Sequence, residues 1–490
     1  MTSVTIAPPK ETRLDLRLLR IGALYFALAN VLVAPLAPDP WSLIAGAFTP
    51  FIILSLIGLP TMPKGIVFLL FWQWAQTFAR ALQAIVDGES MALSVYGDDV
   101  LRAYWYVLSG LIVMAAVYRL MLGGIRPPTA GEYYWHERWR ASDLVIAYFA
   151  SIAASAAFTF VARLASGLDQ PFTAAAQIKV VTLFLLCTYV LTTGRGVGML
   201  MLALFAEIVA GFTGFFSDFR AVFIYLAFAA VAARVRWTGT ATLVSIAWVG
   251  LLIVLALFWT SVKMDYRSYV SGYDETVQQT KVPLDERMGY LLDKAISIGD
   301  TDWKQASYDL LIRFAYVDIF GQVIGVAASR QESELMPQWQ AALSHVLQPR
   351  FLFPDKAALS DSDVFMRLTK ADPNVQINTG TSISVGYIAE NFVDLGFPGM
   401  LAGLAVLAAI ISLVTRYFMS TNLPWMLREG IIMGFAFMVG GTGMEVSLPK
   451  ILGAMLMFFI VWSLMAKFAL PIAIRWLDRH GNGLPGGNAG

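Results

Sequence analysis

The residues best suited to chemistry gather in the second half of the chain. Glu390 stands in Gly-Tyr-Ile-Ala-Glu-Asn-Phe and Glu445 in Gly-Gly-Thr-Gly-Met-Glu, each beside an apolar run. Burial there would raise a carboxyl toward neutrality and make it a general base, whereas pairing with an arginine would make it a structural partner. His345 is another group able to take a proton near pH 7, with solvation or helix capping as its plainer role. Asp361-Ser-Asp363 has the spacing that can hold a divalent ion beside a phosphate, although two acids in a polar loop are common. No metal site is expected from the histidines, because His136, His345 and His480 are scattered. The one cysteine, Cys187, lies in an apolar run, which excludes an intramolecular disulfide and paired-thiol ligation. Gly194-Arg195-Gly196 and Gly440-Gly441-Thr442-Gly443 do not continue into Gly-Lys-Ser or Gly-Lys-Thr, so they read as helix ends and close packing rather than phosphate loops.

What must position these residues is a set of membrane helices. Of the 490 residues 58% are hydrophobic and 14% charged, where an ordinary soluble domain carries about a quarter charged. Mean hydropathy is +0.64. A net charge of +1 excludes a polybasic nucleic-acid binder, whose affinity comes from phosphate contacts. A hydrocarbon core about 30 Å thick needs roughly 20 apolar residues per helix, and about twelve such runs are present. They cover 19–36, 41–59, 65–86, 101–122, 143–166, 174–193, 197–217, 220–235, 239–262, 397–416, 428–447 and 451–472. The fold class is therefore all-α and polytopic. The first run follows Lys10, Arg13, Arg17 and Arg20, is too long for a cleaved signal and lacks an Ala-x-Ala site, so a retained helix is expected.

Lys and Arg set the orientation, since cytoplasmic connections keep positive charge during insertion. Alternate connections carry Lys64; Arg119, Arg126, Arg138 and Arg140; Arg195; Arg234 and Arg236; Arg416 and Arg428; and Lys467, Arg475 and Arg479. The opposite connections, around Asp39, Asp87 to Asp99, Asp169 and Asp218, are acidic or neutral. Both termini are thus expected in the cytoplasm. The expected organisation is nine helices over 1–262, a large periplasmic loop over 263–396, three helices over 397–472 and a disordered cytoplasmic tail over 473–490. Within the loop, 303–328 reads as a single helix on the membrane surface, with Asp309 and Arg313 one turn apart. No internal repeat is visible, which weakens a transporter reading, because common transporter folds are built from two related halves.

Several cations break the inside bias. Arg80, Arg102, Arg163, Lys179, Arg220 and Lys450 fall at or near the outer ends of the runs, and Lys263 and Arg267 continue the set. Each alone can snorkel to lipid headgroups. Together they would suit a ligand with several negative charges, such as a pyrophosphate held at the membrane surface.

The stretch Pro-Arg-Phe-Leu-Phe-Pro-Asp-Lys at 349–356, then Thr381-Ser382-Ile383-Ser384 and Ala-Glu-Asn-Phe-Val-Asp-Leu-Gly-Phe-Pro-Gly at 389–399, resembles Wzy-type polysaccharide polymerases, in the larger group that includes the O-antigen ligases. In that group a P-R-x-x-x-P-x-K segment and an E-x-(F/Y)-x-x-x-G-x-x-G segment bracket the end of a long periplasmic loop. The resemblance implies a GT-C-like glycosyltransferase of the bacterial inner membrane that joins polyprenyl-pyrophosphate-linked oligosaccharides at its periplasmic face, with inversion and without metal or cofactor. It implies Arg350 and Lys356 as pyrophosphate or sugar ligands and Glu390 as the acid that orients or deprotonates the acceptor hydroxyl. Arg220, Arg267 and Arg313 join them on charge alone, with His345 and Glu445 as alternative bases. Implied partners are the lipid-linked oligosaccharide, membrane lipids, and the flippase and chain-length regulator of a polysaccharide pathway. Some members carry arginine followed eleven residues later by glycine; that spacing is absent at Arg220, Arg313 and Arg350, so those arginine roles do not transfer.

Other readings are an O-antigen ligase, for which His345 would matter, a transporter or flippase, and a non-catalytic assembly subunit. If Arg350 grips a phosphate, Arg350→Ala abolishes polymer on a glycan gel while the protein stays inserted, and Arg350→Lys restores little, because an ammonium lacks the bidentate fork. Normal polymer from Arg350→Ala removes that assignment.

Overall fold

A computed structural model describes residues 12–129, 132, 135–164, 168–215, 218–273, 280–300, 302–327, 337–348, 353, 356, 360–370 and 383–480. Its regular elements are helices, with one isolated antiparallel bridge between Arg13 and Arg236. In chain order they are α1 Leu16–Val33, α2 Pro40–Ile57, α3 Lys64–Asp87, α4 Asp98–Leu122, α5 Ala141–Leu164, α6 Asp169–Ala176, α7 Ile178–Thr193, α8 Val197–Thr213, α9 Arg220–Ala232 and α10 Gly239–Val270. Then follow α11 Leu284–Ile296, α12 Trp303–Phe314, α13 Val317–Ala327, α14 Pro337–Leu347, α15 Asp361–Thr369, α16 Tyr387–Met419, α17 Trp425–Gly440, α18 Leu448–Leu464 and α19 Leu470–His480.

All twelve apolar runs fall on helices. Among the described residues, eight helical segments are long and apolar enough to cross a membrane by themselves, as in a multi-pass membrane protein. The other four runs form α3, α8, α9 and α17. The last three have only 17, 13 and 16 residues. α3 is long but carries Gln73, Gln76, Arg80 and Gln83, all buried. Such a helix is tolerated because its polar side chains face protein rather than lipid.

α3 and α17 form the centre. Phe68 stacks on Phe437 at 4.4 Å, and Gly65 lets α3 approach so closely that a Cβ there would meet the Ile432 carbonyl. Gly430 and Gly434 give α7 the same access through Val181. Small residues at crossings are how helices associate without water to drive them together. The rim is different: only 6% of the apolar window of α10 is buried, against 67% for α6–α7. Leu243, Val244 and Ile246 of α10 are accordingly exposed, as side chains facing hydrocarbon are.

At the end of the bundle that carries both described chain ends, charges are matched. Lys64 and Glu429 pair at 3.1 Å, and the second Glu429 oxygen accepts the Lys64 backbone N–H at 2.9 Å, so the carboxylate also caps α3. Arg428 pairs with Glu132, Arg234 with Asp15 at 3.7 Å, and Arg138 with Asp478 at 2.6 Å.

Several boundaries differ from those read in the sequence. α10 runs on to Val270, which puts Lys263 and Arg267 on its last turns rather than in a loop. The tenth run starts earlier, at Tyr387, with a break at Gly396 (φ 66°), a backbone conformation that glycine adopts without strain. The single helix expected over 303–328 is two, bent by 51° after Phe314. The bend lays α13 on the start of α4, where Gly321 touches the Val100 backbone, so this segment is packed in protein. The tail expected from 473 is helical to His480, because Asp478 is held by Arg138 and by the Trp139 indole at 2.9 Å; 481–490 lie outside the described residues.

Lys64→Met strands the buried Glu429 carboxylate and is expected to cost about 3–5 kcal/mol, seen as a lower thermal midpoint in detergent. Adding Glu429→Gln to it should recover a large part. No recovery would mean that the carboxylate's charge is not what Lys64 offsets.

Candidate functional site

The opposite end of the bundle holds every candidate residue that lies among the described ones. It is organised by the first turns of α16. Glu390, 2% exposed, accepts the Leu448 N–H at 2.5 Å and so caps α18. One turn later Asp394 accepts the N–H groups of Gln338 at 2.9 Å and Trp339 at 2.8 Å, capping α14. Between them Asn391 accepts the Trp339 indole N–H at 3.0 Å and donates to the Tyr387 carbonyl at 2.8 Å. The Tyr387 N–H reaches across to the Val446 carbonyl at 2.7 Å, which fixes the turn 443–446. The Glu-Asn-x-x-Asp pattern is therefore a junction of three helices, each acid neutralising a positive helix end.

Beside this junction lies a group of cations. Arg220 begins α9; Lys263 and Arg267 are one turn apart at the end of α10; Arg313 is in the last turn of α12. Lys263 lies within electrostatic reach of Arg267, Arg313 and Arg220 and of one acid, Glu445. Glu445 in turn feels Arg220 and Lys263. Trp72 of α3 ties the group together: the Arg220 guanidinium lies over its ring at 5.4 Å, and Phe314 meets it edge-on at 5.3 Å. The buried Trp72 Nε1 has no hydrogen-bond partner. Gln76, one turn on, accepts the Met444 N–H at 2.9 Å and donates to the Thr442 carbonyl at 3.2 Å and to Glu445 at 3.4 Å, holding that carboxylate toward the cations. Arg267 donates to the Phe215 carbonyl at 3.2 Å and lies over the Phe215 ring.

Arg220, Lys263 and Arg313 are distinguished by what other cations at this end of the bundle do. Arg80 pairs with Asp318 at 2.7 Å, Lys179 with Glu207 at 2.9 Å, Lys450 with Asp361 at 2.6 Å and Arg102 with Asp99 at 3.2 Å. Among the described residues no carboxylate hydrogen-bonds or ion-pairs with Arg220, Lys263 or Arg313. Arg220, Lys263 and Arg313, with Arg267 beside them, thus outnumber the acids within their reach, Glu445 and Asp218, an arrangement that attracts a multiply charged anion.

The remaining candidates divide. Arg350 lies outside the described residues, as do Thr381 and Ser382. Lys356 donates to the His345 carbonyl and, at 2.7 Å, to that of Gln348, so its ammonium closes the C-terminus of α14. His345 is half-buried in the last turn of the same helix. Asp361 spends its oxygens on Lys450 and on Ser447, the latter at 2.9 Å, rather than facing Asp363 as a bidentate ion site. The expected Asp309 and Arg313 pair does not form: Asp309 accepts from Gln305 at 2.8 Å one turn earlier, leaving Arg313 to the cluster. The Arg163 side chain is outside the described set. Sequence reasoning counted Lys263 with Arg267 among the cations suited to an anion but did not choose Trp72 or Gln76, although those two show the one-turn spacing of a helical face.

Comparison with protein-family models, with curated proteins and with solved structures found no match to this chain.

The cap assignment has a direct consequence. Glu390→Gln keeps an acceptor oxygen for the Leu448 N–H, whereas Glu390→Ala leaves it unmet in a buried place, a cost of about 1–3 kcal/mol. Thermal unfolding in detergent is expected to rank wild type, Gln and Ala in falling order. Equal losses for Gln and Ala would remove the capping role.

Proposed function

We propose that this chain is a glycosyltransferase that polymerises polyprenyl-pyrophosphate-linked oligosaccharide repeats at the periplasmic face of a bacterial inner membrane. In this reading all twelve apolar runs cross the bilayer in a GT-C-like fold, both termini are cytoplasmic, and 263–396 is periplasmic. One observation carries the proposal: Arg220, Lys263, Arg267 and Arg313 gather where the membrane helices end, with Glu445 within reach of Arg220 and Lys263.

Pyrophosphate is a good leaving group, so the reaction needs cations to stabilise the charge that grows on it rather than a carboxylic acid to protonate it. The acceptor hydroxyl oxygen bonds to the anomeric carbon of the growing chain. The bond from that carbon to the pyrophosphate oxygen breaks, and its electron pair leaves with polyprenyl pyrophosphate, held by the four cations. The hydroxyl proton passes to a carboxylate. Of the acids named from the sequence, Glu445 stands beside the cations and takes that part here, while Glu390 holds α18 in place. Attack from the face opposite the leaving group inverts the sugar. No cofactor enters, and the lipid-linked sugar, with a flippase and a chain-length regulator around it, is the partner set. No nucleic acid is involved.

The test is a gel profile of lipid-linked and surface glycan from a deletion strain, with and without the gene restored. Single unpolymerised repeats that become a ladder on complementation support the proposal; full-length polymer stranded on its carrier indicates a ligase. Arg220→Ala, Lys263→Met and Arg267→Ala should each lower polymer formation about 10–100-fold with the protein still inserted, the range given by one charge-assisted hydrogen bond of about 1.5–3 kcal/mol. Unchanged ladders in all three overturn the cation site.

A further inference from the structure

α11 is a short helix with three distinct sides. Arg287, Tyr290, Leu291 and Lys294 hold it to the bundle. Arg287 donates to the Thr213 carbonyl at the end of α8, and Tyr290 stacks on Tyr269 of α10 at 4.6 Å. Leu291 packs in the aromatic cluster of Phe212, Phe219 and Trp259, and Lys294 pairs with Asp265 at 2.9 Å. A second side carries Glu286 and Asp293, about a quarter turn round from the first, and Asp285 is exposed in the first turn. Between the two runs a stripe one turn apart, Leu284, Met288, Leu292 and Ile296, exposed by 51%, 36%, 59% and 83%. No residue of α11 is buried. Four large apolar side chains in register on one flank of a charged helix need a cover, since a free aqueous helix gains nothing from such a stripe.

The position of α11 says what the cover is. It is clamped to the ends of α8 and α10, and α10 exposes apolar side chains along its length toward that end, Leu251, Ile253, Val254 and Met264 among them. The stripe therefore continues, at the level where α10 ends, an apolar surface already turned toward hydrocarbon. Tyrosines and long basic side chains stand at that level, Tyr269 and Tyr290 with Arg287 and Lys294, the residue types that settle between acyl chains and headgroups. We propose that α11 is an interfacial membrane helix, lying in the plane of the bilayer surface with Leu284, Met288, Leu292 and Ile296 dipped into the acyl boundary and Glu286 and Asp293 in water. The sequence points to 303–328 for this role, but the structure packs that segment against α3 and α4 and leaves the stripe to α11. The helix also anchors the neighbourhood of the cation cluster, since Asp265 and Arg267 share the last turns of α10.

Single-cysteine labelling of the full chain in lipid vesicles tests this. The native Cys187 is fully buried and does not compete for label. Leu292→Cys and Asp293→Cys place an environment-sensitive fluorophore on adjacent residues of opposite character, both exposed, so folding is not at risk. With the label on Leu292→Cys, lipids spin-labelled near the headgroup should quench emission several-fold and aqueous iodide little; on Asp293→Cys the order should reverse. Iodide quenching both positions alike would overturn the proposal. So would shielding of Leu292→Cys from iodide and from spin-labelled lipid together, which would mean that a protein surface, such as a second copy, covers the stripe.

Discussion

A helix start buried away from water leaves N–H groups that something must accept, and here one segment answers for two helices at once. Glu390 and Asp394, a turn apart on α16, receive the first N–H groups of α18 and α14. Because a buried, unmet donor costs about as much as a strong hydrogen bond is worth, neither helix can shift without the other. The turn 443–446 is pinned between α16 and α18, and with it Glu445. The placement of Glu445 among the cations thus descends from two caps on a neighbouring helix.

The rest of this end of the bundle follows the same rule of compensation. Lys179 and Glu207, with the Tyr148 hydroxyl on the second carboxylate oxygen at 2.6 Å, and Arg80 with Asp318 are polar groups taken out of water that found partners. Charges in a bilayer protein persist when matched or when something else needs them. Matching accounts for Arg80, Lys179, Lys450 and Arg102, and it is Arg220, Lys263 and Arg313, which pair with no carboxylate among the described residues, that give the site its character.

Much of this architecture could be read from the residues, because hydrophobic runs bounded by charge report directly on helices that need lipid. Helix ends were less legible. Nothing local says that α10 continues past Lys263, since its last two turns are half polar, or that the helix through Arg313 breaks after Phe314; the break is imposed by Gly321 seating on Val100. The site was legible in part. The excess of outer cations is visible in the sequence, but which of them are already paired depends on partners far along the chain, such as Asp318 for Arg80 or Asp361 for Lys450. Glu390 shows the limit most clearly: its motif reads as chemistry, and nothing in it announces that its carboxylate caps α18.

Half of the cation cluster rides on α10, the helix with the least protein around it. Arg220 and Arg313 belong to helices braced against α3, whereas Lys263 and Arg267 sit at the tip of a rod whose end is packed on α12 and α11 and whose remaining length is exposed. A rod of that kind adjusts its tilt to the thickness of the bilayer. Because its tip is packed on α12, such a tilt is expected to carry Lys263 and Arg267 together with Arg313, so the bilayer's thickness would act on the exposed length of α10 and spare the spacing of those cations.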